Sequence, residues 1–527
     1  MKKWILLAAS VFFAVAVLWK LNINEEAMTE PESETAPAVE TPKPVIDETV
    51  QWWMRELESG AANGSFELAA DYADRLAAYY RQTNDPAKAQ LYEAQREQYW
   101  QQVPDVTKRL VPTYSFASEQ VTITPYVSVP APANPHPAKF EPETGVYLGM
   151  YAADKRAGFN NIAGVETVYG RKHALYLTYT GWRKVQTDTN TYFPLRFADR
   201  VAAVGGAIQI GWEPRFGLDD VKDDEYVRTF AKEAAAWGKP VFLRYASEMN
   251  GNWVPWYGDP RKYVEKFRLI HDIMAQEAPN VVMVWSPNFS PYNNIEPYYP
   301  GDDYVDWIGY SLYASVPTYD NKEDFDSTII DSFKRLYDMF PNKPIMISES
   351  GVSHFDMTLN KGYERWAEGQ VGSLYELLPR LFPRIKSITY FNYSKASSTR
   401  SNKRDVYDLG ENPFADSVYR HAIANPMFLS EVKNGASSPA GNIFVPLGSA
   451  KDLQGKHELF TYVKLPHGEQ PFAVSVAQNG HTLGTAYAMP WLLNIDFSRI
   501  DPLAPITLTA FDRSMTAIAT TNAFLPH

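Results

Sequence analysis

"FLRYASEMNGNW" spans Phe242 to Trp253. Phe242 to Tyr245 read as a strand, apolar and aromatic apart from Arg244 and without a turn former. The chain then delivers Glu248 into a loop of amide and aromatic side chains that ends at Trp253. A second stretch, "KPIMISESG" from Lys343 to Gly351, ends the same way and carries Glu349 at its C-terminal edge.

These are two of eight β-rich apolar runs: "GVYLGMY", "ALYLTYT", "GAIQIGW", "PVFLRYA", "VVMVWSP", "DWIGYSLY", "PIMISES" and "SITYFNY". Amphipathic stretches such as "DDEYVRTFAKEAAAWGK" and "PRKYVEKFRLIHDIMAQEAP" lie between them. Continuous apolar strands alternating with amphipathic helices predict a parallel sheet covered by helices. Eight such units, recurring roughly every 25 to 40 residues, predict an α/β fold of the (β/α)8 TIM-barrel type. An open doubly wound sheet is the runner-up, weakened because no Gly-rich phosphate fingerprint follows the first strand. In a barrel, Glu248 ends the fourth strand and Glu349 the seventh. Those strands face each other across the mouth, so the two carboxylates should converge there. Cleavage of a glycosidic bond uses such a pair, and a carboxyl separation of about 5–5.5 Å gives the double-displacement, retaining route.

The 527 residues exceed one ordinary domain. No cysteine is present, which excludes disulfides and zinc–thiolate sites. The net charge of −12 is concentrated between Glu25 and Glu48, where eight acids stand against one lysine. A mildly acidic body argues against a nucleic-acid partner. No set of His and acidic residues has metal-ligand spacing, and neither a metal nor another cofactor is expected.

The start, "MKKWILLAASVFFAVAVLWK", reads as a signal peptide or membrane anchor over residues 1–22, with a retained anchor favoured. Either reading places the body outside the cytoplasm, secreted or tethered to the membrane. An acidic, Pro-rich disordered linker follows over 23–45. Residues 46–103 read as a helical hairpin, with Ala69, Tyr72, Leu76 and Tyr79 at helical spacing. Asp85 and Pro86 should open its second helix. A Pro-rich linker is expected over 104–143, the barrel over 144–425, and a small β-sandwich over 426–527. Asn479-Gly480 marks a hairpin in the last.

The chain resembles glycoside hydrolase family 26, within the clan of retaining barrel glycosidases, over about residues 145–420. "LRYASEMNGNW" resembles that family's acid/base segment and "KPIMISESG" its nucleophile segment. "VVMVWSPN" and "YYPGDDYVDWIGYSLY" resemble its fifth- and sixth-strand stretches. The resemblance implies Glu248 as acid/base, Glu349 as nucleophile and Tyr313 as the tyrosine that orients the nucleophile. It departs at Ser247, where the family has His and the clan Asn, and at Tyr390–Phe391, where the clan often places Trp under the reacting sugar.

Trp253, Trp256 and Tyr257 follow Glu248, while Trp182, Trp212 and Trp285 lie at or just past other strand ends. Such clustering fits an aromatic glycan cleft, with core packing as the bland alternative. Trp237 and Trp307 read as core. Ser247, Asn250, Asn288 and Tyr390 are candidate sugar contacts, loop capping being the alternative for the two asparagines. Arg244 should face Glu248 or Glu349, and His354 reads as structural. The expected activity is hydrolysis of an extracellular polysaccharide by a retaining endo-β-glycosidase. β-Mannan is the family default; mixed-linkage β-glucan, β-xylan and bacterial exopolysaccharide are further candidates. The rival reading is a catalytically silent, polysaccharide-binding scaffold at the cell surface.

Overall fold

The computed structural model describes residues 47–104, 120–158, 161–183, 185, 192–319, 322–394, 405–451 and 453–525. The expected anchor and acidic linker lie outside the described residues. Among the described residues, no helix is long and apolar enough to cross a membrane.

Three helices open the described chain: α1 (Glu48–Ala62), α2 (Phe66–Gln82) and α3 (Pro86–Trp100). The unit is therefore larger than the expected hairpin. In α1, Trp52, Trp53, Glu56 and Leu57 make one buried face, and Asn63 and Gly64 end the helix. Asp85 caps α3 by accepting from the Lys88 N–H, with Pro86 in the first turn. Trp52, Trp53 and Tyr72 pack with Phe414 and Phe472 from distant parts of the chain.

The eight apolar runs form β2 (Val146–Ala152), β3 (Leu175–Gly181), β4 (Ala207–Glu213), β5 (Val241–Tyr245), β6 (Val281–Trp285), β7 (Trp307–Ala314), β8 (Ile345–Val352) and β9 (Ile385–Asn392). They pair in parallel in chain order, and β9 returns to pair with β2, which closes a (β/α)8 barrel. The strands are buried on both faces because helices cover the outside, which explains the unbroken apolar runs. Connecting helices include α4 (Ile162–Tyr169), α5 (Leu195–Ala203), α6 (Glu225–Trp237), α7 (Pro260–Glu277), α8 (Ile329–Lys334), α9 (Glu364–Gly372), α10 (Leu378–Leu381) and α11 (Pro413–Ile423). Asp224 caps α6 and left-handed Gly238 ends it; Asp259 and Pro260 open α7.

The segment expected as linker over 104–143 contains a strand, β1 (Thr122–Pro130). It lies between β10 (Asn442–Pro446) and β11 (Lys456–Lys464), with β14 (Leu492–Asp496) on the far side of β11. Strands β12 (Ala473–Gln478), β13 (His481–Ala486), β15 (Ile506–Phe511) and β16 (Ala517–Ala523) form the second sheet. Val127 of β1 shares a core with Leu459, Val476, Ile495 and Leu508. The sandwich thus borrows a strand from before the barrel. Pro125 and Pro130 hid the period-two alternation of that strand. Asn479 and Gly480 turn β12 into β13, both with positive φ, as a two-residue hairpin requires.

Candidate active site

Side-chain alternation along the strands decides what reaches the barrel lumen. Gln209 of β4 donates to the Ser348 carbonyl of β8 at 2.6 Å and accepts from Thr389 of β9 at 2.9 Å. One layer toward the C-terminal ends, Arg244 is fully buried and donates to three partners from three strands or strand ends. These are Ser286 Oγ at 3.1 Å, Ser311 Oγ at 3.2 Å and Glu349 Oε1 at 2.7 Å. Strict alternation from Ser348, whose hydroxyl bonds Ser286 across the lumen at 2.7 Å, would turn Glu349 outward. A register shift between Ile347 and Glu349 in the pairing with β7 prevents this. The irregularity lets two consecutive residues face the same interior.

Glu349 is held from three sides. Tyr179 of β3 and Arg244 both donate to Oε1, and Tyr313 of β7 donates to Oε2 at 2.8 Å. Gly211 makes room for the first of these: a Cβ there would lie 2.6 Å from Tyr179 Cδ1. Burial alone would push the Glu349 carboxyl up. The Arg244 charge and the hydrogen bonds from Tyr179, Arg244 and Tyr313 outweigh it and leave the pKa below the ordinary glutamate value.

Glu248 reaches the mouth differently. Strand β5 ends at Tyr245, and both Ala246 and Glu248 have left-handed backbone, with φ of 48° and 60°. Such conformations cost on the order of 1 kcal/mol each in a non-glycine residue. The following loop offsets this with a dense clamp. Asn250 donates to the carbonyls of Asn288 and Pro291 at 2.9 and 3.0 Å and accepts from the Asn288 N–H at 2.8 Å. Trp256 donates to the Ser247 carbonyl at 2.8 Å, and the Glu248 N–H donates to the Ser286 carbonyl at 2.7 Å. The Glu248 side chain accepts from Asn288 Nδ2 at Oε1 (3.0 Å) and from Trp253 Nε1 at Oε2 (2.8 Å). Its pKa is raised, first by burial and then by the negative charge of Glu349, against the weaker pull of hydrogen bonds from Trp253, Ser311 and Asn288. Two carboxyls in one lumen are thereby pushed in opposite directions: one stays ionised, the other holds its proton more readily.

Of the expected site residues, the structure brings Glu248, Glu349, Arg244, Tyr313 and Trp253 together. Several others are corrected. Trp212 and Trp285 are fully buried on the outward parity of their strands. Trp212 stacks on Phe230 of α6 at 4.0 Å and on Trp182 at 4.6 Å; Trp285 packs edge-on against Tyr299 and Phe340. Each is core, where burial of such a ring contributes roughly 2–3 kcal/mol. Trp256 and Asn250 are buried braces of the Glu248 loop, and Ser247 is buried in that loop. Tyr390 also faces outward, beside Tyr419, while its neighbour Phe391 stacks on Tyr151 at 4.7 Å and meets Tyr313 edge-on. Phe391 is thus the ring of that pair on the Glu349 side. Tyr179 was missed as a site residue. Its signal was its place one residue before the end of an apolar run, on the inward parity. Asn288 sits on Glu248 itself, a closer role than the sugar contact expected of it. Among the described residues no cluster of His and acids could hold a metal ion.

Residues 224–371, which include both glutamates, match the profile described as Glycosyl hydrolase family 26. Endoglucanase H of Acetivibrio thermocellus is 28% identical over 298 residues, 53% of this chain. The β-1,3-xylanase TXYA of a Vibrio species is 26% identical over 160 residues, 29% of this chain. A mannan endo-1,4-β-mannosidase of Bifidobacterium adolescentis is 27% identical over 124 residues, 22% of this chain. The chain spans 30%, 32% and 12% of those relatives' own lengths. Among solved structures, GH26C from a Muricauda species matches 54% of this chain and 87% of its own, at 15% identity and a TM-score of 0.40.

Proposed function

We propose that the chain, whose residues 224–371 match the glycosyl hydrolase family 26 profile, is a glycoside hydrolase of that family and hydrolyses a β-linked polysaccharide internally with retention of anomeric configuration. One observation carries the reading: two glutamates converge on the barrel mouth in different settings, Glu349 held by Arg244, Tyr179 and Tyr313, and Glu248 by Asn288 and Trp253. In the first half-reaction a Glu349 oxygen bonds to the anomeric carbon. The bond to the leaving oxygen breaks, and that oxygen takes the proton of Glu248. In the second, water gives a proton to Glu248 and its oxygen displaces Glu349. Two inversions give net retention. Arg244, Tyr179 and Tyr313 keep the nucleophile ionised and aligned. A silent binding barrel would account for the fold but not for this pairing.

The broadest of the reported relatives by coverage is an endoglucanase, which puts a β-glucan ahead of mannan as substrate. Ser247, buried where the family places His, fits low activity on plain mannan. Release of reducing ends from β-glucan, β-1,3-xylan, β-1,4-xylan and mannan tests the proposal. Glucan cleaved fastest, with the β-anomer appearing first by proton NMR, is expected. No release from any of them would defeat the enzyme reading. The proposal extends to location: the basic, apolar start supports a body outside the cytoplasm, found in the membrane fraction or medium on fractionation.

A further inference from the structure

To protonate a leaving oxygen, Glu248 must carry its proton on an oxygen that faces the incoming sugar. Both oxygens face N–H donors, and the Ser311 hydroxyl also bonds the carboxyl. Asn288 Nδ2 lies 3.0 Å from Oε1 and Trp253 Nε1 lies 2.8 Å from Oε2. Amide and indole N–H groups donate only, so neither can take the proton that Glu248 must deliver. Both favour the carboxylate over the acid.

The two N–H donors are held very differently. Asn288 is buried, its own Oδ1 accepts from the Ser290 N–H at 3.1 Å, and its backbone is bound to Asn250 and bridged to Ser311. It has no room to leave. Trp253 is 54% exposed. Its ring lies flat over Gly251, where a Cβ would come within 2.2 Å of Trp253 Cη2. Among the described residues its one side-chain hydrogen bond is the one to Glu248. The glycine at 251 is therefore a seat for the indole, and the indole is free to leave that seat on its solvent side.

We propose that Trp253 is a substrate-released latch on Glu248: its indole N–H holds Oε2 in the free protein and gives way when the leaving-group sugar enters, so that Oε2 can carry the proton to the scissile oxygen. The latch rests on the acid/base role proposed above for Glu248. Trp253 is a positioning residue, because it acts through that carboxyl. On release, Glu248 takes up a proton from solvent, and that proton is the one transferred. The charged and titratable groups facing Glu248 are Glu349, Arg244, Tyr179, Tyr313 and Tyr407. Arg244 stays cationic and the three phenols, raised mainly by burial, stay neutral at any working pH. Glu349, held low, stays anionic. Trp253 is the partner that changes.

Trp253→Phe keeps a ring over Gly251 and removes the N–H. In the free protein, carbon-13 NMR of the Glu248 carboxyl should then show about a three- to tenfold tighter proton affinity than the parent. An unchanged titration overturns the latch, whether or not the protein is an active enzyme. For the release, the basic limb of kcat/KM reports the free enzyme and that of kcat the bound complex. In Trp253→Phe the kcat/KM limb should move to higher pH, while the kcat limb stays where it is in the parent. Equal movement of both limbs would mean the indole stays bonded in the complex and would overturn the release. If the parent cleaves a glycan and Glu248→Gln cleaves it equally well, the acid/base reading fails instead, and the latch falls with it.

Discussion

Glu349 and Asp71 are both buried carboxylates held ionised by arginine, yet they belong to very different regions. Asp71 sits where the helical unit, the barrel and the sandwich meet. It pairs with Arg75 at 2.8 Å on its own helix, with Arg513 at 2.6 Å from the β15–β16 turn, and with Arg365 on α9. Burial pushes its carboxyl up, and the three guanidinium charges overcome that and hold it well below the usual range. Glu349 has one guanidinium and two phenols. Burial and ionisation are thus common to both and mark neither as a site. What differs is the neighbour. Asp71 is surrounded by cations and is a tie between three parts of the chain. Glu349 faces a second carboxyl, Glu248, driven the other way.

The comparison breaks first on substitution. Glu349→Gln should lower kcat by at least about 10⁴-fold, since no covalent intermediate forms. Asp71→Asn should act on stability alone. It leaves Arg75, Arg365 and Arg513 with only Glu368 and Asp74 as counter-charges, for a loss of about 1–3 kcal/mol in denaturant unfolding, with kcat per folded molecule unchanged. A large kcat effect from Asp71→Asn would erase the distinction.

A smaller effect sharpens the Glu349 side. Gly211→Ala should displace the Tyr179 ring, and Tyr179→Phe should remove its hydroxyl. Each deletes a donor that favours the anion, so the pKa of Glu349 rises. The acid limb of kcat/KM should move to higher pH in both, with a roughly tenfold loss at the optimum. An acid limb that stays put would remove Tyr179 from the site.

The smallest effect lies on the structural side. His421 stacks on Trp52 of α1 at 3.8 Å, and burial, then the Arg55 charge, lowers its pKa from 6.5 to about 4. Between those values the unfolded chain binds the proton and the folded chain does not. Stability should therefore fall as pH drops from 6.5 toward 4. His421→Gln should flatten part of that slope in unfolding measured at several pH values, without moving the activity profile.

How much of this was legible in the sequence follows from strand physics. The eight strands stood out because helices cover their outer faces and force continuous apolar runs. The two glutamates stood out because each ends such a run. Their surroundings were harder to read. Trp212, Trp285 and Tyr390 lie one position off the inward parity, and near a strand end one residue separates cleft from core. Alternation would have misled for Glu349, which faces inward only through the irregularity after Ile347. Tyr179 looked like any strand tyrosine, since the cue is its contact with a residue 170 positions away. β1 was masked by its prolines.

The central claim, that Glu349 attacks and Glu248 handles the proton, is tested most directly by azide trapping with an activated aryl β-glycoside. Glu248→Ala keeps the nucleophile, and this leaving group departs without a proton. Azide should speed breakdown of the glycosyl-enzyme and yield the β-glycosyl azide, whereas Glu349→Ala, rescued by direct attack, should yield the α-azide. The α-azide from Glu248→Ala together with the β-azide from Glu349→Ala would contradict the account and exchange the two roles.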